Sequence, residues 1–357
     1  MRLRTICLCA VFFLCASACA QGVTIQTVDV GVLGIFHPAE LILSAGEQQE
    51  LLISGAGREF FVAAGSSCYE VRIRATGNQL VINCGTKESH AKEIHVTSRN
   101  QAAASVVLGI PGKIRRGYRG TLRLIARDGV LIPIVQMDLE TAVGSVVRAE
   151  MTEDTPLEAL KAQAVAARSY FTAGGKRHAD FDFCDLTHCQ FLREPPPEES
   201  SAAKAVEQTR GMILVYNGKT VTAMFTRSCA GHTRTATEIG LSDGAYPYFS
   251  VICDFCYGNP VKWTRKVSSE DAMVLRSGEA GRLSIGRRLG WSAVPSNNFS
   301  VHEEADGTVV LQGTGQGHGV GLCQRGARAM AENGATFREI LEHYFPNTKI
   351  ERMRAGL

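Results

Sequence analysis

The chain has 357 residues, which is longer than a minimal domain and, at roughly 100–200 residues per domain, suits two compact units. Hydrophobic residues make up 45% of it and charged residues 20%. It can therefore bury a sizeable core, and this composition excludes a disordered or fibrous protein. The formal charge is only +3 and aromatic residues are 7%. Because no dense basic block appears either, the sequence does not indicate a nucleic-acid-binding protein.

The first twenty residues predict a secretory signal peptide. Arg2 and Arg4 precede an apolar run over residues 6–14, and Ala18–Ala20 forms an A-x-A cleavage site. The apolar run is shorter than the roughly 20 residues that a transmembrane anchor needs. Cys19 is an alternative lipid anchor, although a Leu is missing three residues before it. We therefore expect an extracytoplasmic protein of the periplasm or cell envelope, with no transmembrane segment in the mature chain.

Removal of the signal peptide takes away four of the 12 cysteines and leaves eight. In an oxidising compartment these cysteines should be paired or bound to metal. Cys68 and Cys84 bracket a predicted hairpin that has Gly77-Asn78 near its tip. This arrangement favours a disulfide across the two strands.

The N-terminal part of the mature chain contains short runs rich in β-branched residues and separated by turn residues, a pattern that predicts β-strands. The composition changes near Pro133, and helical patterns follow. We therefore predict an α+β (mixed α/β) protein, with a β-rich region over residues 21–130 and a second domain over residues 131–350. The strands predicted in and around the first region are Val23–Val30, Glu70–Ala75, Leu80–Asn83, Glu93–Val96, Thr121–Ile125 and 134–140.

The second region combines helices with short strands. Thr155–Glu158 predicts a helix start, with Thr as the N-cap, Pro at the first helical position and Glu at the third. Gly174-Gly175 ends this helix. Asn217-Gly218 predicts a hairpin with a type I′ turn. Further helices are predicted at 201–208, 269–277, 324–331 and 336–344.

Glu150 is the first candidate for chemistry. It lies near the end of an apolar, strand-like run from Val146 to Met151, just before the predicted helix. Apolar surroundings disfavour the charged form of a carboxyl group and raise its pKa, which suits a general acid. A surface or capping glutamate would explain the same local sequence.

A possible metal site lies in one twelve-residue segment that contains His178, Cys184, His188 and Cys189. Two thiolates and two imidazoles complete a tetrahedral shell for Zn²⁺, and a filled shell is structural rather than catalytic. A disulfide between Cys184 and Cys189 is the alternative. We favour zinc, because a disulfide would leave both histidines without a role.

The remaining cysteines allow several interpretations. The Cys253–Cys256 segment is a C-x-x-C motif without a thioredoxin-like βαβ pattern around it, which favours a structural disulfide. Cys229 and Cys323 are possible nucleophiles of a cysteine hydrolase, with His232 or His318 as the base. Alternatively, they are small buried thiols.

Glycines alternate with other residues in the segment Gly313–Ala327. Such a backbone can approach a ligand closely, and a predicted helix N-terminus follows it. The segment does not match G-x-G-x-x-G, because Val320 stands at the third glycine position. A loop that lines a polysaccharide site therefore fits better than a phosphate-binding loop.

Together these motifs resemble the SpoIID/LytB family of bacterial cell-wall metabolism. The resemblance implies a SpoIID-like catalytic domain with a long glycan-binding cleft. It also implies a lytic transglycosylase that cuts the β-1,4 bond between N-acetylmuramic acid and N-acetylglucosamine in peptidoglycan. The expected substrate is glycan strands without stem peptides, and the products would end in 1,6-anhydro-N-acetylmuramic acid. The carrying segments, in the family's order, are Ala149–Met151, Leu157–Tyr170, Cys184–Gln190, Phe225–Thr233 and Gly317–Ala327.

The resemblance also implies roles for single residues. The family's catalytic glutamate falls on Glu150. A single carboxyl group suits a transglycosylase, because only hydrolysis by water needs a second carboxylate at a defined distance. The structural zinc of some members falls on the four His and Cys residues of the 178–189 segment. Six residues fall at motif positions that would line the sugar cleft: Arg168, Ser228, Cys229, His318, Cys323 and Gln324.

Two departures from the family pattern stand near the expected site. Thr152 replaces the usual proline after Ala149–Met151, which would loosen the turn that holds Glu150. Cys323–Arg325 replaces Ser-Gln-Tyr, so an aromatic ring is lost. A cell-wall amidase is the implied partner in substrate preparation. The alternative function is a non-catalytic peptidoglycan-binding protein that enhances such an amidase.

Overall fold

A computed structural model describes residues 26–55, 57, 59–99, 103–305 and 308–353. The predicted signal peptide, its cleavage site and Cys19 lie outside the described residues. The described part is rich in strands and also contains helices, which confirms the predicted α+β fold class. The first twelve strands are β1 (Thr27–Gly31), β2 (Glu40–Ala45), β3 (Glu50–Ser54), β4 (Phe60–Ala63), β5 (Glu70–Thr76), β6 (Gln79–Cys84), β7 (Lys87–Ala91), β8 (Glu93–Ser98), β9 (Ala104–Ile110), β10 (Ile114–Arg127), β11 (Val130–Asp138) and β12 (Phe183–Cys184).

Eight further strands and eight α-helices complete the described elements. The strands are β13 (Met212–Tyr216), β14 (Lys219–Thr220), β15 (Phe225–Thr226), β16 (Lys262–Val267), β17 (Phe299–Glu303), β18 (Val309–Thr314), β19 (Leu322–Cys323) and β20 (Lys349–Arg352). The helices are α1 (Leu139–Glu150), α2 (Leu157–Ala173), α3 (Ser201–Gln208), α4 (Asp254–Gly258), α5 (Ser269–Val274), α6 (Glu279–Leu289), α7 (Gln324–Glu332) and α8 (Phe337–Tyr344).

The first twelve strands form one curled sheet. Its main path runs β12-β1-β11-β10-β9-β2-β5-β6-β7, and β8, β3 and β4 branch from β10. The long strand β10 changes partners along its length, because it pairs with β9 over 114–120, with β11 over 121–127 and with β8 over 122–125. Gly120 lies at this change, where a Cβ atom would collide with the main-chain oxygen of Gln136. The predicted β5–β6 hairpin is present, and Cys68 and Cys84 form the predicted disulfide.

The strand-like run before Met151 is helical, so the sequence prediction was wrong there. The Asp138 side chain accepts two backbone N–H groups of the first turn of α1 and thereby starts the helix. Val146 and Val147 are both buried. Consecutive apolar residues are typical of a buried strand, but here they occur because the helix buries neighbouring residues on more than one face. Glu150 is the last residue of α1.

Helix α2 lies between two hydrophobic cores. Leu160, Ala164 and Ala167 belong to the core inside the curled sheet, whereas Ala162 and Val165 belong to a second core with α7 and α8. Alanine side chains let these elements approach closely. The helix starts at Leu157, with Pro156 rather than the predicted Thr155 in the N-cap position, and ends at Gly174 as predicted.

Three cores organise the described chain. The largest joins the N-terminal strands to α1, α2 and α3, and the smallest lies between the β16–β18 sheet and helices α5 and α6. The predicted boundary at residues 130 and 131 falls at the start of β11, which pairs with β10. The two predicted regions therefore share a core, and the domain division stays a prediction. None of the described helices combines the length and apolar composition that a membrane crossing requires.

Candidate functional site

Glu150 lies where two lobes of a cleft meet. The smaller lobe, about 440 Å³, runs along α7, and the larger, about 690 Å³, runs past residues 187–191 towards α6. Glu150, Arg227 and Gln316 line both lobes. A carboxyl group between two lobes has room for a ligand on each side, so the arrangement suits a reaction within a linear chain.

The surroundings of Glu150 favour its protonated form. Burial raises the pKa of this carboxyl group to about 7, against the opposing effects of a hydrogen bond from Gln324, the charge of Arg227 and the backbone of Phe191. Gln324 Nε2 donates to Glu150 Oε2 at 3.3 Å. Near neutral pH both protonation states are therefore populated, as general acid–base catalysis requires.

Two parallel strands bring Gln324 and Arg227 to the carboxyl group. Strand β15 pairs with β19 in the register Phe225 to Leu322 and Thr226 to Cys323. Arg227 and Gln324 directly follow the paired strands, so they emerge at the same edge. Gln324 Nε2 also lies 3.4 Å from Gln163 Oε1 on α2, which ties the amide to the central helix.

The turn after Glu150 is closed by its own hydrogen bonds. Thr152 Oγ1 lies 3.2 Å from Thr155 Oγ1, and the Thr155 N–H donates to the Thr152 carbonyl at 3.0 Å. Arg328 of α7 donates to Thr152 Oγ1 at 3.4 Å and to Asp154 at 2.7 Å. These contacts restrain the turn although the family's usual proline is replaced.

The segment 178–189 brings four potential metal ligands together. The donor atoms of His178, Cys184, His188 and Cys189 all lie within 4.8 Å of one another. His178 Nε2 and His188 Nδ1 each lie 3.4 Å from Cys189 Sγ, and His188 Nδ1 lies 3.8 Å from Cys184 Sγ. Tetrahedral zinc with ordinary bond lengths would place nitrogen and sulfur about 3.6 Å apart. The donor set fits Zn²⁺, and Cys184 and Cys189 are not joined as a disulfide.

The N-terminal region supports this metal-ligand segment. Strand β12 pairs in parallel with β1, so that Gly31 stands opposite Cys184. The Asp185 carboxylate accepts the Leu33 N–H at 3.0 Å, and the Asp182 carboxylate accepts the Asp29 N–H at 3.0 Å. His188 and Cys189 then face the larger lobe of the cleft. A metal ion there would stabilise the wall of the larger lobe, which Glu150 also lines.

Arg168 does not line the cleft, contrary to the expectation from its motif position. Its side chain is fully buried and forms an ion pair with Glu140 at 2.6 Å. It also donates to the Met212 carbonyl at 3.0 Å. These contacts hold α1, α2 and β13 together, so Arg168 is a structural residue.

Ser228, Cys229 and Cys323 also lie behind the cleft wall rather than in it. All three are buried, and none of them lines either lobe. A cysteine nucleophile must be reached by a substrate in the cleft, and both thiols are enclosed in the second hydrophobic core. The structure therefore argues against a cysteine hydrolase.

The predicted disulfide between Cys253 and Cys256 is absent, and both residues are free thiols. Their Sγ atoms converge instead with those of Cys229 and Cys323. The C-x-x-C spacing alone suggested a local pair. The other two thiols arrive from distant segments, so the sequence did not reveal them as neighbours.

His318 lines the larger lobe, as its motif position implies. Its Nδ1 accepts the Val320 N–H at 3.0 Å. Burial lowers the pKa of the ring, and the nearby Glu279 opposes this shift. A neutral ring whose Nδ1 accepts a hydrogen bond carries its proton on Nε2, and a hydrogen bond to the backbone of Phe225 also opposes the lowering of its pKa.

Several residues of the site were not found from the sequence. Phe255 lines the smaller lobe, and the Arg325 guanidinium lies 5.2 Å from the centre of its ring. Phe255 therefore supplies an aromatic surface near the position where the motif lacks its tyrosine. The sequence does contain a signal for Gln163, because it is a polar residue in an alanine-rich, mostly apolar run of α2. Such a residue is a candidate for a buried polar contact. Gln316 belongs to the glycine-rich segment, which lines the cleft through Gln316, Gly317 and His318.

Comparisons with known proteins agree with these motifs. A family model for SpoIID, described as Stage II sporulation protein, matches residues 127–216, which include Glu150 and the four metal-ligand candidates. An uncharacterised protein of Brachyspira hyodysenteriae is 32% identical over 268 residues, covering 65% of this chain and 72% of that protein. Stage II sporulation protein D of Bacillus subtilis is 28% identical, covering 63% and 77%. The amidase enhancer of Bacillus subtilis is 24% identical, covering 56% of this chain but only 39% of the enhancer. The chain belongs to the SpoIID family.

Proposed function

We propose that this protein is an exported lytic transglycosylase that cleaves the β-1,4 bond between N-acetylmuramic acid and N-acetylglucosamine in peptidoglycan. Glu150 is the proposed general acid and base. The observation that carries the proposal is a carboxyl group of raised pKa between the two lobes of an elongated cleft. Membership of the SpoIID family supports the same reaction.

The reaction needs one group that donates a proton and then accepts one. The protonated Glu150 carboxyl group gives its proton to the glycosidic oxygen, and the bond from that oxygen to C1 breaks. The resulting carboxylate takes the proton of the C6 hydroxyl of the same N-acetylmuramic acid, whose oxygen closes on C1. A 1,6-anhydro end forms, Glu150 is protonated again and no water is consumed.

The other carboxyl groups of the cleft lining support this assignment. Apart from Glu150, the lining contains Glu279 in the larger lobe and Glu332 in the smaller lobe. Glu279 pairs with Arg282 at 2.6 Å, and Glu332 pairs with Arg328 at 2.8 Å. Both are engaged as ion pairs, whereas the hydrogen bond to the Glu150 side chain comes from a neutral amide.

The charge of the cleft suits a strand without stem peptides. When the stem peptide is removed, each N-acetylmuramic acid exposes a lactyl carboxylate. Guanidinium groups bind carboxylates well, and a cleft of one sign attracts ligands of the opposite sign. The formal charge of the whole chain is only +3, but five arginines against two glutamates line the larger lobe: Arg177, Arg227, Arg265, Arg282 and Arg287.

We also assign a structural zinc ion to His178, Cys184, His188 and Cys189. The fit of their donor atoms supports this assignment. Zinc would supply a rigid crosslink, and four protein ligands leave it no open position for substrate. The proposed place of action is the cell envelope, reached through the signal peptide, and a cell-wall amidase would prepare the denuded strands.

The test compares the mature protein from Gln21 onward with its Glu150→Gln variant on glycan strands stripped of stem peptides. We expect fragments with 1,6-anhydro ends from the wild type and none from the variant, detected by mass spectrometry. Glu332→Gln is the matched control, because this glutamate lines the same cleft and should not be required. Equal cleavage by Glu150→Gln, or reducing ends in place of anhydro ends, would contradict the proposal.

The second candidate is a non-catalytic protein that enhances an amidase. The similarity to the Bacillus subtilis amidase enhancer favours this reading. It predicts that the wild type binds glycan strands without cutting them. It also predicts that the wild type and the Glu150→Gln variant stimulate an added cell-wall amidase equally.

A further inference from the structure

Four buried cysteines from three separate parts of the chain meet in the second hydrophobic core. The Sγ atoms of Cys229, Cys253, Cys256 and Cys323 all lie within 4.8 Å of one another. None of them is in a disulfide, whereas Cys68 and Cys84 are paired. The six free cysteines of the described residues thus divide between this four-cysteine cluster and the His/Cys segment at 178–189.

We propose that the four-cysteine cluster is a second metal site, which binds one structural Zn²⁺ ion. A zinc–thiolate bond is about 2.3 Å long, so a tetrahedral site separates neighbouring sulfurs by about 3.8 Å. Cys256 Sγ and Cys323 Sγ are 3.6 Å apart. A disulfide would need about 2.05 Å, so this separation matches two ligands of one ion. Four sulfurs this close also leave no room for a multinuclear iron–sulfur cluster.

The groups around the sulfurs suit thiolate ligands. Tyr344 Oη donates to Cys253 Sγ at 3.3 Å, and Ser228 Oγ lies 3.5 Å from Cys256 Sγ. Hydrogen bonds of this kind orient metal ligands and stabilise their charge. The backbone of α7 also approaches closely, because a Cβ atom on Gly326 would lie 2.5 Å from Cys253 Sγ.

The proposed ion would join the segments that form the cleft wall. Cys229 follows β15, and Cys323 ends β19 immediately before α7. Cys253 is the N-cap of α4, and Cys256 lies in its first turn. Their sequence neighbours Arg227, Phe255 and Gln324 all line the smaller lobe. If the proposed function is correct, zinc therefore fixes the wall that presents Gln324 to Glu150. The metal assignment itself does not depend on the reaction.

A variant that lacks the other site isolates the four-cysteine cluster. Both the wild type and the mature Cys184→Ser/Cys189→Ser protein are purified without chelator or reductant, and their zinc content is measured by elemental mass spectrometry. We expect two zinc ions per chain in the wild type and one in the variant. Adding Cys256→Ser/Cys323→Ser should remove the remaining ion. Replacement of zinc by Co²⁺ in the first variant should give the visible bands of a tetrahedral site and a thiolate charge-transfer absorption.

Two controls keep the result clear if a variant fails to fold. The wild-type zinc content is measured on the intact protein, and its cysteines are alkylated after unfolding without reduction and located by peptide mass spectrometry. Four alkylated cysteines at these positions support a metal-thiolate site. Disulfides among them, iron in place of zinc, or no metal in the Cys184→Ser/Cys189→Ser protein would overturn the proposal. None of these measurements uses glycan cleavage, so failure of the proposed reaction remains distinguishable.

Discussion

At the scale of single residues, the main feature is the position of the Glu150 carboxyl group. It stands at the end of α1, among groups that desolvate it, and receives its side-chain hydrogen bond from the amide of Gln324. Desolvation favours the protonated state in the folded protein, whereas the unfolded chain ionises at the ordinary pKa of a glutamate. The protonation state of this residue is therefore linked to the stability of the fold.

This linkage predicts a pH-dependent difference between the wild type and Glu150→Gln. Between pH 4.5 and about 7 the folded wild type binds more protons at Glu150 than the unfolded chain does. The contribution of Glu150 to the free energy of unfolding therefore falls as pH rises through this window, by about 3 kcal/mol in total. Glu150→Gln should lack this decrease, and its stability relative to the wild type should rise from pH 4.5 to 7 and then level off.

Urea unfolding at several pH values measures this difference. Glu153→Gln is the matched control, because it makes the same change at a nearby glutamate that is exposed. A stability difference between Glu150→Gln and the wild type that stays constant from pH 4.5 to 8 would show that the carboxyl group is not desolvated as described.

The sequence identified Glu150 but could not separate residues of the cleft from residues behind it. Arg168 and Gln324 both occupy motif positions, yet one forms a buried ion pair with Glu140 and the other bonds to Glu150. The difference arises from the faces of α2 and α7 that meet the cleft. Local spacing does not specify those faces, because they depend on how the helices pack.

At the scale of elements, the close approach of α7 to the cysteine cluster gives a test of packing. Gly326 lies within α7, where alanine would ordinarily stabilise a helix by about 1 kcal/mol. Its Cβ would instead collide with Tyr344 Oη and Cys253 Sγ. We expect Gly326→Ala to lower the free energy of unfolding by about 1–3 kcal/mol.

Thermal and urea unfolding measure this effect, and Gly258→Ala provides a comparison. Gly258 is the last residue of α4, and a Cβ there would meet no atom within 4 Å among the described residues. The Gly258 variant should therefore be close to neutral. If Gly326→Ala is as stable as the wild type, α7 does not approach the cluster as closely as the structure indicates.

Local sequence signals predicted some elements well and others poorly. Helix α3 has the predicted bounds, and Asn217 and Gly218 both adopt the positive φ angles of a type I′ turn. Helix α6 was missed, because its start is a glycine without a capping side chain and two further glycines, at 281 and 286, interrupt its helical pattern. The four-cysteine cluster could not be predicted from spacing, because 67 residues separate Cys256 from Cys323.

At the scale of the whole molecule, the N-terminal strands and the helices share one hydrophobic core. Leu122 and Leu124 of β10 belong to the same cluster as Val143 and Val147 of α1. The family model matches only residues 127–216. A division of the chain near residue 130 would therefore expose apolar surface on both sides.

We expect a fragment that starts at residue 131 to be unable to fold alone. It would lose the strands that cover α1 and α2, so the exposed core would favour aggregation or an expanded state. Circular dichroism in the near ultraviolet and amide hydrogen exchange should show no fixed tertiary packing in the fragment. The mature chain, in contrast, should unfold with the sheet and helices in one transition. A stable, cooperatively folded fragment would contradict the shared core.

The pairing of β1 with β12 has a consequence for the order in which the molecule is assembled. Asp29 and Asp182 contact each other across 153 residues, so β1 can pair with β11 before β12 has been synthesised. Until that contact forms, the segment with Cys184 and Cys189 lacks its anchor, and two thiols five residues apart can oxidise with each other. Strand docking and thiol oxidation therefore compete in time. The rate at which β1 and β12 pair should therefore influence how much protein retains both thiols for the proposed metal site.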